Sequence, residues 1–274
     1  KKGEVEVKVD PIFDGDLAAV IDGAKNISTG EEFSSLQDAI AAADENNEIH
    51  IWGTLDEDIT LNKNLVIMGG DESSAAKIRT LMVANGVKAT FKNIQFFGAR
   101  NMNSAKSSVV INQAEDVVFE DCLFAQENVS EAGMRPIETN YGFTGKLTLK
   151  NCTVEPGTSN AYFNPLAEGG ELTITGTTFK QIVTIDPKVS STAKMGTYKI
   201  EDNVFEGSVA VTALSGATDV NGLSADEKSY VNNILANNTF GNDTQKVKIF
   251  SGNNSFFVND LSSVIYNQTT GTGY

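Results

Sequence analysis

One hexapeptide pattern recurs along this chain and constrains its fold more than any other feature. Phe91-Lys92-Asn93-Ile94-Gln95-Phe96 aligns with Phe119-Glu120-Asp121-Cys122-Leu123-Phe124 and with Leu149-Lys150-Asn151-Cys152-Thr153-Val154. The pattern continues in Ile174-Thr175-Gly176-Thr177-Thr178-Phe179, Ile200-Glu201-Asp202-Asn203-Val204-Phe205 and Leu235-Ala236-Asn237-Asn238-Thr239-Phe240. The third positions fall at 93, 121, 151, 176, 202 and 237, so the steps are 28, 30, 25, 26 and 35 residues; Asn64 fits 29 residues before Asn93. A strand-based unit of this length cannot bury a core alone and must stack on its neighbours.

The third position takes Asn, Asp or Gly, the residues that enter the left-handed backbone region at least cost. A chain that bends at one fixed point in every turn needs that conformation there. Asn64, Asn93, Asp121, Asn151, Gly176, Asp202 and Asn237 are therefore expected to form a turn ladder. Three residues later an aromatic ring returns at Phe96, Phe124, Phe179, Phe205 and Phe240. Stacked turns place these rings in one interior column at the strand spacing of about 4.8 Å. The expected fold is all-β: a single-stranded, right-handed parallel β-helix of about eight coils. Cys122 and Cys152 occupy the same position of consecutive repeats. Cα atoms about 4.8 Å apart lie within the disulfide range of about 4.4–6.8 Å, so a bridge between coils is sterically possible. In-register side chains that point the same way favour instead a reduced pair packed as small fillers in the interior ladder.

Upstream, Phe33, Leu36, Ala39, Ile40 and Ala43 share one face at helical spacing, and Ser34 with Gln37 or Ser35 with Asp38 gives a capping-box-like start. This is the one helix the pattern supports; it is expected to cap the open end of the first coil, where unpaired strand edges invite aggregation. Residues 4–9 alternate as a strand with one wet face. The chain divides into an N-terminal strand and cap segment (1–32), the β-helix domain (33–266) and a C-terminal tail (267–274).

The stretches 33–43, 49–53 (Ile-His-Ile-Trp-Gly) and 59–69 (Ile-Thr-Leu-Asn-Lys-Asn-Leu-Val-Ile-Met-Gly) resemble the opening of pectin-lyase-like β-helix domains. The variant is also similar to repeats of secreted and cell-surface proteins of gut bacteria. The resemblance spans residues 33–260 and implies a capping helix followed at once by the first coil. It specifies fold better than activity, because enzymes, adhesins and phage tailspikes share it.

Composition narrows the function. Twenty-one Lys+Arg against 36 Asp+Glu, a net charge of −15, argues against nucleic acid and against unaided binding of acidic polysaccharides. No run of about 20 apolar residues supports a membrane span. A single histidine, His50, excludes multi-histidine metal cages. His50 sits between Ile49 and Ile51, pointing outward, without the flanking glycines of polygalacturonase-like enzymes. Asp14-Gly-Asp16 and Asp56-Glu-Asp58 lack the spacing of an EF-hand loop, so no metal and no cofactor is expected.

Three segments break the regular step: 101–108, 127–145 and 212–229. Insertions leave a β-helix as loops, where function concentrates. Arg100, Arg135, Glu138 and Tyr141 form the candidate binding loop. The expectation is a non-catalytic secreted or cell-surface bacterial module, freed of a signal peptide not contained in this sequence. It would act as an adhesin or glycan-contacting protein, with a polysaccharide or a host-surface glycan or protein as partner. The alternative is a polysaccharide lyase-like enzyme using Arg100 and Arg135.

Overall fold

The computed structural model describes residues 22–70, 76–102 and 105–261. The alternating strand at 4–9, the Asp14/Asp16 pair, the apolar piece Val264–Tyr266 and the tail 267–274 lie outside the described residues. The fold is an all-β parallel β-helix of about six turns rather than eight. The difference lies at the ends, which are closed by antiparallel strands and helices instead of further coils.

Sheet A carries seven parallel strands: Glu48–Trp52, Leu65–Gly69, Lys88–Lys92, Asp116–Glu120, Lys146–Lys150, Glu171–Thr175 and Thr197–Glu201. Gly23–Asn26 and Glu32–Phe33 extend it antiparallel at the N-terminal edge. Sheet B has two arms joined at Ala76–Val83. The lower arm holds the end of each hexapeptide, from Ile94–Phe96 to Thr239–Phe240. The upper arm runs through Ala105–Ile111, Arg135–Thr139, Ala161–Phe163, Val183–Ile185, Val209–Thr212 and Val247–Ser251, and closes in the antiparallel hairpin strand Asn254–Val258.

The hexapeptide works through register. In sheet A, Ile49, Ile67, Phe91, Phe119, Leu149, Ile174 and Ile200 are consecutive partners pointing inward. In the lower arm the column is Ile78, Phe96, Phe124, Val154, Phe179, Phe205 and Phe240. Phe96 and Phe124 stack with centroids 5.4 Å apart, Phe179 and Phe205 at 5.3 Å, and Phe205 and Phe240 at 5.4 Å. Val154 interrupts the rings without breaking the column. Phe91, Phe119, Phe96 and Phe124 also meet edge to face across the core, the geometry aromatic quadrupoles favour.

At the bend between the two strands of each repeat, Asn93, Asp121, Asn151 and Asp202 have φ of 54°, 54°, 53° and 58°, and Gly176 has φ 60°. Two members of the expected ladder differ. Asn64 precedes the sheet A strand Leu65–Gly69 instead of following one, and its Oδ1 accepts the Lys88 amide at 2.7 Å; the bend after the first sheet A strand is made by Gly53 (φ 72°). Asn237 has φ −111° because it ends a helix. The residue after the bend forms a second column, Ile94, Cys122, Cys152, Thr177, Asn203 and Asn238. Its polar half is cross-bonded turn to turn: the Thr177 amide donates to Asn203 Oδ1 at 2.9 Å and the Asn203 amide to Asn238 Oδ1 at 3.0 Å.

Helix α1, Leu36–Ala42, buries Leu36, Ala39 and Ile40 against the first coil. The segment 212–229, read from the sequence as a loop, contains a 3-10 turn at Val220–Gly222 and the start of a second helix, α2, Ala225–Ala236. It takes the place a further strand of sheet A would have. Tyr230, Val231 and Ile234 join the same core as the ladders. Its signals are present in the sequence: Ser224 and Glu227 make a capping box, and the buried positions 227, 230, 231 and 234 have helical spacing.

A candidate binding face on the upper arm

The upper arm owes its outer surface to the same register that fills the core. Its outward column reads Met82, Val110, Glu138, Tyr162, Thr184, Ala210, Lys248 and Phe257. Near its middle the side chains interlock. Arg135 pairs with Glu138 and lies over the Tyr162 ring, its guanidinium carbon 4.3 Å from the centroid. Ser107 Oγ donates to the other oxygen of Glu138 at 3.1 Å. The Tyr162 hydroxyl donates to Asp186 Oδ2 at 2.8 Å, and Asp186 Oδ1 accepts the Thr212 amide at 2.7 Å. Burial, reinforced by the negative charge of Asp186, pushes the Tyr162 phenol well above its usual range, so it stays protonated. A protonated phenol held by a carboxylate is a donor already spent, not a base.

Farther along the column, Lys248 Nζ lies 5.0 Å from the Phe250 centroid and 5.8 Å from that of Phe257. Both rings are exposed, at 42% and 39%. Two cation–aromatic groups thus stand on one outer face. Tyr162 and Lys248 are three ladder steps apart, about 14 Å at the usual strand spacing, and the column between them narrows to Thr184 and Ala210.

The four residues expected to form one loop are distributed differently. Arg135 and Glu138 lie on a strand, not a loop, and touch directly. Tyr141 follows that strand with its ring 62% exposed and its hydroxyl bonded to the Val189 carbonyl. Arg100 belongs to a separate cluster. It starts a short strand that folds back antiparallel on Ala105–Ser107, and it reaches the Ile59 carbonyl at 3.2 Å and Asp58 at 3.7 Å. Arg79 also meets Asp58, at 2.9 Å, and Thr80 Oγ1 donates to it at 2.6 Å. Met102 on that short strand and its partner Ala105 pack with Val110 and Met82 on the outside of the sheet.

Sequence reasoning missed Ser107, Tyr162, Asp186 and the Lys248/Phe250/Phe257 group. The upper arm has no hexapeptide, so only its pairing register brings these residues together. His50 lies on the outer side of sheet A against Glu48, with the Trp52 ring 6.2 Å away. Cys122 and Cys152 are buried free thiols. Among the described residues, no group of three or more His, Cys, Asp or Glu side chains is placed to hold a metal ion. No described helix is long and apolar enough to cross a membrane. Compared with protein-family models, with curated proteins and with solved structures, the chain matches none.

Proposed function

We propose that this chain is a non-catalytic recognition module of a secreted or cell-surface bacterial protein, a right-handed β-helix of the pectin-lyase-like kind. It contacts a glycan through the outer face of its upper sheet arm. One observation carries this reading: the carboxylates at the middle of that face are already engaged, while a lysine of the same face sits among rings. Glu138 holds Arg135, Asp186 holds the Tyr162 phenol, and Lys248 lies over Phe250 and Phe257. What the face offers outward is apolar ring surface beside positive charge, in fixed positions on strands. That suits binding of a sugar ring on an aromatic platform better than proton abstraction.

The test is a panel of neutral and acidic polysaccharides. Binding is read by affinity electrophoresis, and cleavage by ultraviolet-absorbing unsaturated products and new reducing ends. Retention by at least one polysaccharide without new ends is expected. Tyr162→Ala and Phe257→Ala should each weaken retention about tenfold while circular dichroism stays unchanged. Cleavage of any polysaccharide would replace this reading with the lyase-like one. Unchanged retention in both variants would move the site off this face.

A further inference from the structure

We infer that Cys122 and Cys152 form a closable dithiol, a site at which a small-molecule disulfide installs one cystine around the turn that carries Arg135, Glu138 and Tyr141. The register aligns Leu123 with Thr153, and the Thr153 amide donates to the Cys122 carbonyl at 2.9 Å, so the two cysteines are ladder neighbours on adjacent turns. Their sulfurs sit in matching surroundings, one turn apart. Cys122 Sγ lies 3.5 Å from the Phe91 carbonyl and 3.3 Å from that of Glu120. Cys152 Sγ lies 3.5 Å from the Phe119 carbonyl and 3.4 Å from that of Lys150. Phe91 and Phe119 are themselves partners in sheet A. Neighbouring parallel strands lie about 4.8 Å apart, inside the Cα range that a disulfide spans. Side-chain rotation toward each other then brings the sulfurs to bonding distance without moving a strand.

The chemistry is exchange. The thiolate of one cysteine attacks the small disulfide, forming a mixed disulfide and releasing one small thiol. The second thiolate attacks the mixed disulfide at the protein sulfur and releases the other. Two cysteine sulfurs are oxidised, the reagent disulfide is reduced, and the two protons end on the released thiols. Both thiols are 2% exposed, and burial holds the Cys122 thiol up in its protonated form. The reaction therefore belongs to folding or to opening of the stack, not to the closed native state. The ring it closes is residues 122–152, which contains the strand Arg135–Thr139. A cross-link there restricts the unfolded chain over about 30 residues. It ties together the two turns between which the candidate face projects.

The full chain is unfolded in denaturant and refolded with oxidised and reduced glutathione, and remaining thiols are alkylated. The expected product has lost two hydrogens by intact mass, takes up no alkyl group, and yields one cross-linked peptide pair on non-reducing digestion. Its Tm should rise by about 5–10 °C over the reduced chain and return with dithiothreitol. Cys152→Ser should show no oxidant-dependent shift, and Cys122→Ser/Cys152→Ser reports the effect of the substitutions alone. A refolded chain with native circular dichroism whose two thiols both remain alkylatable overturns the inference, as does a bridged chain that melts no higher. Should refolding yield no native chain, incubation with oxidised glutathione in denaturant just below the unfolding midpoint, where the stack opens without a full refolding step, is followed by alkylation in full denaturant and judged by the same two outcomes. None of these results depends on the glycan reading.

Discussion

At the N-terminal end of the stack lies a helix of seven residues; at the C-terminal end lies one of twelve. Both shield the same thing, a cross-section of apolar ladder. The short helix is held from outside. Glu57 accepts the amides of Leu36 and Gln37 at 2.9 and 3.0 Å and the Ser35 hydroxyl at 2.9 Å. Lys63 donates to the carbonyls of Ile40, Ala41 and Ala43 at 3.0, 2.7 and 2.7 Å. A negative group at the amino end and a positive one at the carboxyl end oppose the helix dipole, and both come from the first coil. The long helix starts itself. Ser224 and Glu227 cap it reciprocally, and Glu227 also accepts the amides of Leu214 and Ser215 at 2.7 and 3.2 Å. Lys188 holds Asp226, and Tyr230 reaches the Ile185 carbonyl at 2.9 Å. A seven-residue helix is too short to persist alone, so the body of the solenoid must supply its ends. A longer one carries its own ends and organises the loop before it.

The largest effect should come from the ring that anchors α2. Tyr230→Ala removes a fully buried side chain that packs edge to face on Tyr198, with centroids 5.1 Å apart. It should cost about 3–5 kcal/mol. Tyr230→Phe keeps the ring, loses one hydrogen bond and should cost about 1 kcal/mol. Denaturant unfolding measures both. Equal losses would mean that the hydroxyl, not the packing, holds the C-terminal cap.

Glu227→Ala strips the Ser224, Leu214 and Ser215 amides of their acceptor. Because Glu227 is 3% exposed, the expected cost is about 2–3 kcal/mol. Glu57→Ala, at a more open site, should cost about 1–2 kcal/mol. Reversed magnitudes would break the distinction between a helix that caps itself and one that is capped by its neighbours.

Acid should loosen the C-terminal end first. Burial pushes the Glu227 carboxyl up, but the surrounding amides and the Ser224 hydroxyl outweigh it and leave it below the usual range. Bonds from Lys188 and Ser224 lower Asp226 to about 2. A carboxyl depressed in the folded state contributes stability that is complete above its unfolded pKa and is lost as pH falls through the folded value. The window is therefore about pH 4.5 down to about 2. Hydrogen exchange read over that range should show the amides of Lys228–Ile234 losing protection before those of sheet A. Simultaneous loss would show that the cap and the stack open as one unit.

The sequence was most legible where one repeat unit does one job. Sheet A and the lower arm follow the hexapeptide because each of its positions has a fixed physical role: inward residue, left-handed bend, inward ring. Asn237 has the right residue type and another conformation, because a helix reaches it first. The upper arm was not legible: the steps leading to it vary in length, and Tyr162 becomes a partner of Glu138 only through pairing across that variation. Helix α2 was legible in principle, but Asp226, Glu227, Lys228, Asn232 and Asn233 give it the composition of a loop. Reading for the cap before the apolar face would have found it at Ser224.

Lys63 provides the smallest and most local test. Its ammonium meets three carbonyls that α1 cannot satisfy within itself. The side chain is long enough to stay partly hydrated, so water replaces much of what Lys63→Met removes. The expected cost is about 1 kcal/mol, from one charge on the helix dipole and hydrogen bonds exchanged for water. Methionine keeps the stem that packs beside the helix, which isolates the charge. Lys63→Arg should recover part of the loss, since a guanidinium presents donors to several carbonyls at once. If Lys63→Met is neutral while Glu57→Ala is costly, α1 is held at its amino end alone, and the N-terminal cap is closer in design to α2 than its length suggests.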